Sequence, residues 1–210
     1  MPFNIASKEL TMLSIVKRVS ILSLLALSLT ALADDISLGY PAHGGNGCPA
    51  GTASATLSPD GKSLSIIFDQ FITEAGQGVG RTMDRKSCNV AIPVHVPNGL
   101  SISIIAIDYR GFVSLPQGAT AKLQAEYFFA GMAGPRFAKD FYGRQDTDYL
   151  FNNTLGVQAM VWSPCGADVN LRVNASMMVR NSSHNVAMAT VDSADVSAGI
   201  LYRIQTRRCN

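Results

Sequence analysis

Few of the residues that catalysis and nucleic-acid binding draw on are present. Of 210 residues only 15% are charged, three are histidine and one is tryptophan. There is no Lys/Arg run, no C-x-x-C pair, no G-x-S-x-G elbow and no G-x-x-x-x-G-K-[ST] loop. Without a basic run the chain offers no electrostatic footprint for a polyphosphate backbone, so nucleic acid is not expected as a partner. The missing C-x-x-C argues against a structural zinc or a redox pair. Helical periodicity is absent too: outside the first thirty-three residues no stretch of twelve or more carries apolar positions at helical spacing.

The one long apolar run, Val19 to Leu32, follows a basic pair, Lys17-Arg18, and ends in Ala31-Leu32-Ala33. That is the three-part layout of a secretory signal, with cleavage expected after Ala33. The run is about fourteen residues, short of the roughly twenty a membrane-spanning helix needs, so no span is expected after its removal. The stretch before Lys17 is long, and Met12 would begin a more compact signal, which leaves the start open between Met1 and Met12. The domain expectation is therefore a signal peptide at 1–33 and one secreted domain at 34–210. Taking Lys8, Lys17, Arg18 and Glu9 away with the leader leaves fourteen basic and fourteen acidic residues, a net charge of zero.

All four cysteines, Cys48, Cys88, Cys165 and Cys209, lie after the leader. An even count in an exported chain reads as two disulfides in an oxidising compartment, extracellular or periplasmic. Of three connectivities, Cys48–Cys88 with Cys165–Cys209 is favoured, because each closes a loop of about forty residues within one half of the chain.

After a Gly/Pro-rich opening at Gly39–Gly51, the dominant pattern is strict alternation of apolar and polar side chains, the mark of a half-buried strand. Val169, Leu171, Val173, Ala175 and Met177 alternate with Asn170, Arg172, Asn174 and Ser176. Ala121 to Phe129 does the same, with only Phe128 breaking the polar side, and so do Leu64 to Phe68 and Val90 to Val96, where Pro93 suggests an edge or a bulge. Asp60-Gly61, Asn98-Gly99 and Pro116-Gln117-Gly118 sit between such runs and suit tight hairpin turns. The expected fold is all-β, an antiparallel two-sheet β-sandwich or jelly-roll-like domain with two disulfides, leaving two long loops at Thr73–Lys86 and Met132–Leu150.

The second of those loops holds the candidate site. Arg136, Phe137, Phe141, Tyr142, Arg144 and Tyr149 mix aromatic rings with arginine, as do surfaces that recognise a partner or stack on sugars. Asp140, Asp146 and Asp148 in the same loop are weak calcium candidates, since their spacing is not that of an EF-hand. No other metal ligand, cofactor or catalytic residue is expected. Gly76 to Gly80 matches no phosphate-binding pattern and reads as a flexible loop. His43, His95 and His184 read as surface histidines without ligand spacing. Arg110 is expected to form a structural ion pair with Asp69 or Asp108.

Gly47-Cys48-Pro49, the strand Leu64 to Asp69, Arg85-Lys86-Ser87-Cys88, Tyr109-Arg110-Gly111, Tyr127-Phe128-Phe129-Ala130-Gly131 and Trp162-Ser163-Pro164-Cys165-Gly166 follow one another in that order. As a set they resemble the secreted-protein family catalogued as domain of unknown function 4360 (DUF4360), over nearly all of the chain after the leader. The resemblance implies a small exported protein with paired cysteines. It implies no activity and no catalytic residues.

The leading functional expectation is a secreted non-enzymatic binding or interaction module for a glycan or protein surface. Two alternatives stand beside it. One is an exported hydrolase with a dispersed site built from residues such as His43, Asp69, Asp108 and Arg110. The other is an effector or inhibitor acting on a host or competitor protein.

Overall fold

Alternating side chains become β-strands almost throughout a computed structural model that describes residues 35–191 and 199–209. In chain order these are β1 (Ser37–Leu38), β2 (Ala42–Gly44), β3 (Ala53–Leu57), β4 (Ser63–Phe68), β5 (Ile72–Ala75) and β6 (Met83–His95). Then follow β7 (Leu100–Leu115), β8 (Thr120–Phe129), β9 (Arg136–Tyr142), β10 (Gln145–Thr154), β11 (Val169–Arg180), β12 (Ala187–Thr190) and β13 (Ile200–Arg208). The only helical pieces among the described residues are single 3₁₀ turns at Gln77–Val79 and Val157–Ala159. None is long and apolar enough to cross a membrane. The expected leader, residues 1–33, lies outside the described residues.

Every strand pair is antiparallel, and the strands form two sheets packed together, as alternation implied. One sheet runs β6-β11-β8-β9, with β1 and β2 in tandem on the free edge of β6. The other centres on β7. Along one edge of β7 lie β12 and then β13, which lead outward to β5 and to β4 and β3; on its other edge lies β10. Between the sheets Leu64, Ile66 and Tyr202 from the second meet Leu123, Val173 and Met177 from the first, all fully buried. Pro93 sits inside β6, not at a sheet edge. It falls where β1 ends and β2 has not begun, so on that side only its carbonyl is used, accepting from Gly39 N–H at 2.8 Å.

The turns correct one expectation. Asp60-Gly61 joins β3 to β4 as a true hairpin, with Asp60 Oδ1 accepting from Ser58 Oγ at 2.5 Å and from Lys62 N–H at 3.0 Å. Those bonds hold the Asp60 carboxyl below the usual carboxylate range. Asn98-Gly99 and Pro116-Gln117-Gly118, by contrast, carry the chain from one sheet to the other, since β6 and β8 belong to the first and β7 to the second. Gly99 and Gly118 take positive φ, 79° and 82°, as tight reversals of either kind require. The local chemistry is the same for a hairpin and an arch; the ladder partner decides which forms.

Both disulfides have the expected pairing. Cys48–Cys88 ties the glycine-rich opening to β6, and Cys165–Cys209 ties the segment before β11 to the end of β13. The Met132–Leu150 stretch, expected as a loop, is instead mostly strand: β9 and the first half of β10, the outer strands of opposite sheets. The other expected loop, Thr73–Lys86, holds most of β5, a 3₁₀ turn and the start of β6.

Reduction is expected to cost about 4 kcal/mol per bridge, because the separations of 40 and 44 residues become free loops in the unfolded chain. For a domain of this size that is a fall of about 8–16 °C per bridge in a thermal melt, and an unchanged melt would contradict it. A second expectation concerns Tyr109, Tyr127 and Tyr202, whose phenols burial pushes far above their ordinary value. A raised folded-state value leaves stability intact below about pH 10 and removes it as pH climbs towards the folded values. Ultraviolet titration should therefore find Tyr109, Tyr127 and Tyr202 silent until alkaline unfolding. Ionisation of these three near the free value, with the fold intact, would contradict this.

Candidate functional site

The register of the first sheet arranges its outward side chains in rows, because successive strand residues point to opposite faces. Reading across β6, β11, β8 and β9, one row is Asn89, Asn174, Glu126 and Arg136, and the next is Ser87, Ser176, Gln124 and Ala138. Beyond these come Arg85, Met178, Lys122 and Asp140, then Met83, Arg180, Thr120 and Tyr142. At the opposite end Arg172 stands beside Phe128. Neighbouring strands are about 4.8 Å apart and neighbouring rows about 6.7 Å.

A groove of about 460 Å³ lies over the first two rows and reaches Arg85 in the third. A second hollow, about 270 Å³, continues past Lys122 and Asp140 to Arg180 and Tyr142. Two ion pairs cross between β8 and β9: Arg136 Nε donates to Glu126 Oε1 at 3.0 Å, and Lys122 Nζ reaches Asp140 Oδ1 at 3.3 Å. The side chains of Asn89, Asn174, Gln124 and Ser176 make no hydrogen bond to another described residue.

Arg136 and Tyr142 project from this face, and Phe137, turned inward, borders its groove from the core side. Arg136 and Phe137 line the groove, and Tyr142, 64% exposed, stands at the far end of the second hollow. The other three candidates lie elsewhere. Phe141 and Tyr149 are buried core residues, and Arg144 lies at the β9–β10 turn, donating to Gln117 Oε1 at 3.1 Å. The correction has a simple cause. Alternation along β9 and β10 turns Phe137, Phe141, Tyr149 and Phe151 inward, where they bridge the open side between the sheets.

Phe137 stacks on Tyr109 with centroids 4.3 Å apart, Phe141 meets Tyr149 at 5.0 Å and Phe151 at 5.7 Å, and Lys139 Nζ caps Phe151 at 4.9 Å. Tyr149 lies directly across from Gly111 and donates its hydroxyl to the Thr190 carbonyl at 2.7 Å. A Cβ at Gly111 would collide with both, which is a physical reason for the glycine in the Tyr109-Arg110-Gly111 triplet.

The remaining candidates are dispersed. Asp140 is engaged by Lys122 on the first sheet, whereas Asp146 and Asp148 lie on β10 in the second. Among the described residues no three His, Cys, Asp or Glu side chains gather as metal ligands would. His43 is on β2 in the first sheet, its Nδ1 3.2 Å from the Cys48 carbonyl, while Asp108 and Arg110 are on β7 and Asp69 follows β4 in the second. Arg110, expected to pair with Asp69 or Asp108, pairs with neither among the described residues, and its Nε is buried without a hydrogen-bond partner. Asp108 accepts instead from Asn152 Nδ2 at 2.5 Å and pairs with Arg203 at 3.1 Å, because the ladders set β10 and β13 against it on either side. One pair escaped the sequence reading: His95 Nδ1 and Asp168 Oδ1 meet at 2.7 Å, 73 residues apart in sequence.

Residues 34–209 match the family described as Domain of unknown function (DUF4360). An "Uncharacterized secreted protein" of Arthroderma benhamiae (strain ATCC MYA-4681 / CBS 112371) is 32% identical over 169 residues, which span 80% of this chain and 69% of that protein. The chain belongs to this family.

Phe141 and Tyr142 are neighbours on β9 with opposite roles, and substitution should separate them. Phe141→Ala should cost about 3–5 kcal/mol in denaturant unfolding, as a truncated core ring does. Tyr142→Ala should stay within about 0.5 kcal/mol of the parent. Equal costs at both positions would place the strand's inward face wrongly.

Proposed function

We propose that this member of the DUF4360 family is a secreted, non-enzymatic binding module that holds a glycan on the outward face of β6, β11, β8 and β9. Export proceeds through a leader at residues 1–33, cleaved after Ala33, and the mature protein is the single domain 34–210. Three findings support the export reading: the two disulfides, the secreted relative, and a family match that begins at residue 34.

The observation that carries the ligand reading is the grid formed by Asn89, Asn174 and Gln124, with Ser176, 8% exposed, at the floor of the groove. Each carries donor and acceptor capacity, and none spends it on a protein partner. A carboxamide can give one hydrogen bond and accept another, which matches the adjacent hydroxyl groups of a sugar ring. Their backbone spacing is held by the ladders, so no strand ordering remains to oppose binding and only side-chain rotamers are left to fix. The exposed ring of Tyr142 adds an apolar face of the kind that stacks on pyranose C–H groups. A protein ligand, as the effector alternative requires, would favour an apolar centre, whereas this grid is polar at its middle.

The test is a thermal-melt screen of the mature, oxidised protein against charged and neutral oligosaccharides, beside Asn174→Ala/Gln124→Ala. A sugar at a hundred times its Kd stabilises by about 2.7 kcal/mol, a rise of about 5–10 °C. The expected result is such a rise with at least one class and its loss in the double variant, whose own melting temperature stays within about 2 °C of the parent. No rise with any sugar, or one that survives the double variant, sinks the reading.

A further inference from the structure

Resting on that reading, we infer that the glycan is anionic, a polysaccharide carrying carboxylate or sulfate groups along a hydroxylated chain. The outward face of the four strands carries five cationic side chains, Arg85, Arg172, Arg180, Lys122 and Arg136, and two carboxylates, Glu126 and Asp140. Both carboxylates are engaged within the face by Arg136 and Lys122. Arg85, Arg172 and Arg180 are left with no carboxylate partner among the described residues. This surplus of three stands on a chain whose residues 34–210 are balanced at fourteen basic and fourteen acidic side chains.

Placement gives the surplus its meaning. Arg172 and Arg180 both point outward from β11, eight residues or about 26 Å apart. Arg85 sits opposite Met178 and so falls between them, beside the groove. The uncharged grid of Asn174, Ser176, Asn89 and Gln124 lies between Arg172 and Arg85. An extended ligand along β11 thus meets a cation, two rows of hydroxyl-matching groups and two further cations in turn. Guanidinium groups pair bidentately with carboxylate and with sulfate alike, and they remain charged at any pH at which the fold survives.

Elsewhere Arg203 is engaged by Asp108, Arg81 by Asp84 and Arg207 by the Trp162 ring, whereas Arg110 and Arg208 have no carboxylate partner among the described residues. A neutral glycan would leave the three on this face with water alone. A single-stranded nucleic acid would find only Tyr142 and the half-buried Phe128 as stacking rings here, far fewer than such ligands use.

The experiment measures binding of the mature protein, with a chelator present, to polygalacturonate and to chondroitin sulfate. Each is compared with its uncharged counterpart, methyl-esterified polygalacturonate or desulfated chondroitin. At least one acidic probe should bind at least tenfold more tightly than its neutral form, and its affinity should fall as salt rises. Whichever of the two binds identifies the anionic group. Arg172→Gln/Arg180→Gln should weaken that binding at least tenfold, while Arg208→Gln, on the other sheet, should not change it.

Equal binding of acidic and neutral forms, or indifference to the arginine pair, would overturn the anionic assignment. If such binding still vanished in Asn174→Ala/Gln124→Ala, the glycan reading would stand without it. A single-stranded oligonucleotide bound as tightly as the best acidic glycan would also overturn it, because the face would then be a general polyanion surface. Failure of every probe, charged and neutral, would take both readings down.

Discussion

The register of β11 is the constraint on which the rest depends. It is hydrogen-bonded along both edges, over twelve residues to β6 and ten to β8. Its inward side chains, Leu171, Val173 and Met177, are buried core, and its outward ones are Arg172, Asn174, Ser176 and Arg180. A slip of one residue would exchange the two sets, putting arginine and asparagine between the sheets and leucine, valine and methionine in water. Burial of the core therefore enforces the pattern of the face. Hydrophobic packing on one side and ligand-facing chemistry on the other are fixed by one ladder.

The second sheet serves that arrangement by closing over the core. β7 is its longest strand, and the inward rings of Tyr109 and Tyr202 reach across to Phe137 and Tyr127 of the first sheet. At the side where β9 and β10 leave the sandwich open, Phe141, Tyr149 and Phe151 fill the gap, and the edges of both sheets are held against an aromatic wall. The bridges act at the other margins, where the glycine-rich opening and the polar end of β13, residues 205–208, have little apolar surface of their own. A neutral domain with few charges is thus stabilised chiefly by apolar burial and by limits on the unfolded chain.

A binding site on strands differs in kind from one on loops. Loop residues must be ordered when a ligand arrives, whereas side chains on a paired strand already stand at fixed intervals. The candidate aromatics of the 136–149 stretch were expected to work as loop residues. Three of them instead support or border the sheet face: Arg136 neutralises Glu126, Phe137 anchors β9 to the core, and Tyr142 marks the end of the track. Phe141 and Tyr149 make the wall that holds β9 in place. The grid itself, Asn89, Asn174, Gln124 and Ser176, comes from three strands whose polar sides looked in the sequence like ordinary solvated faces.

What the sequence by itself determined was what is carried in neighbouring residues: the strand character and the inward and outward sides of β4, β6, β8 and β11, the positions of the tight turns, the paired cysteines and the family likeness. Alternation is a local record, legible because burial repeats every second residue. Only the tertiary structure decided which sheet each strand joined, that two of the three turns were arches, that Asp108 belonged to Arg203 and Asn152 rather than Arg110, and that Asn89 stood beside Asn174. These depend on pairing between segments as far apart as β6 and β11. Their partners are chosen by how the whole set of apolar faces is best buried at once, and no short stretch of chain contains that choice.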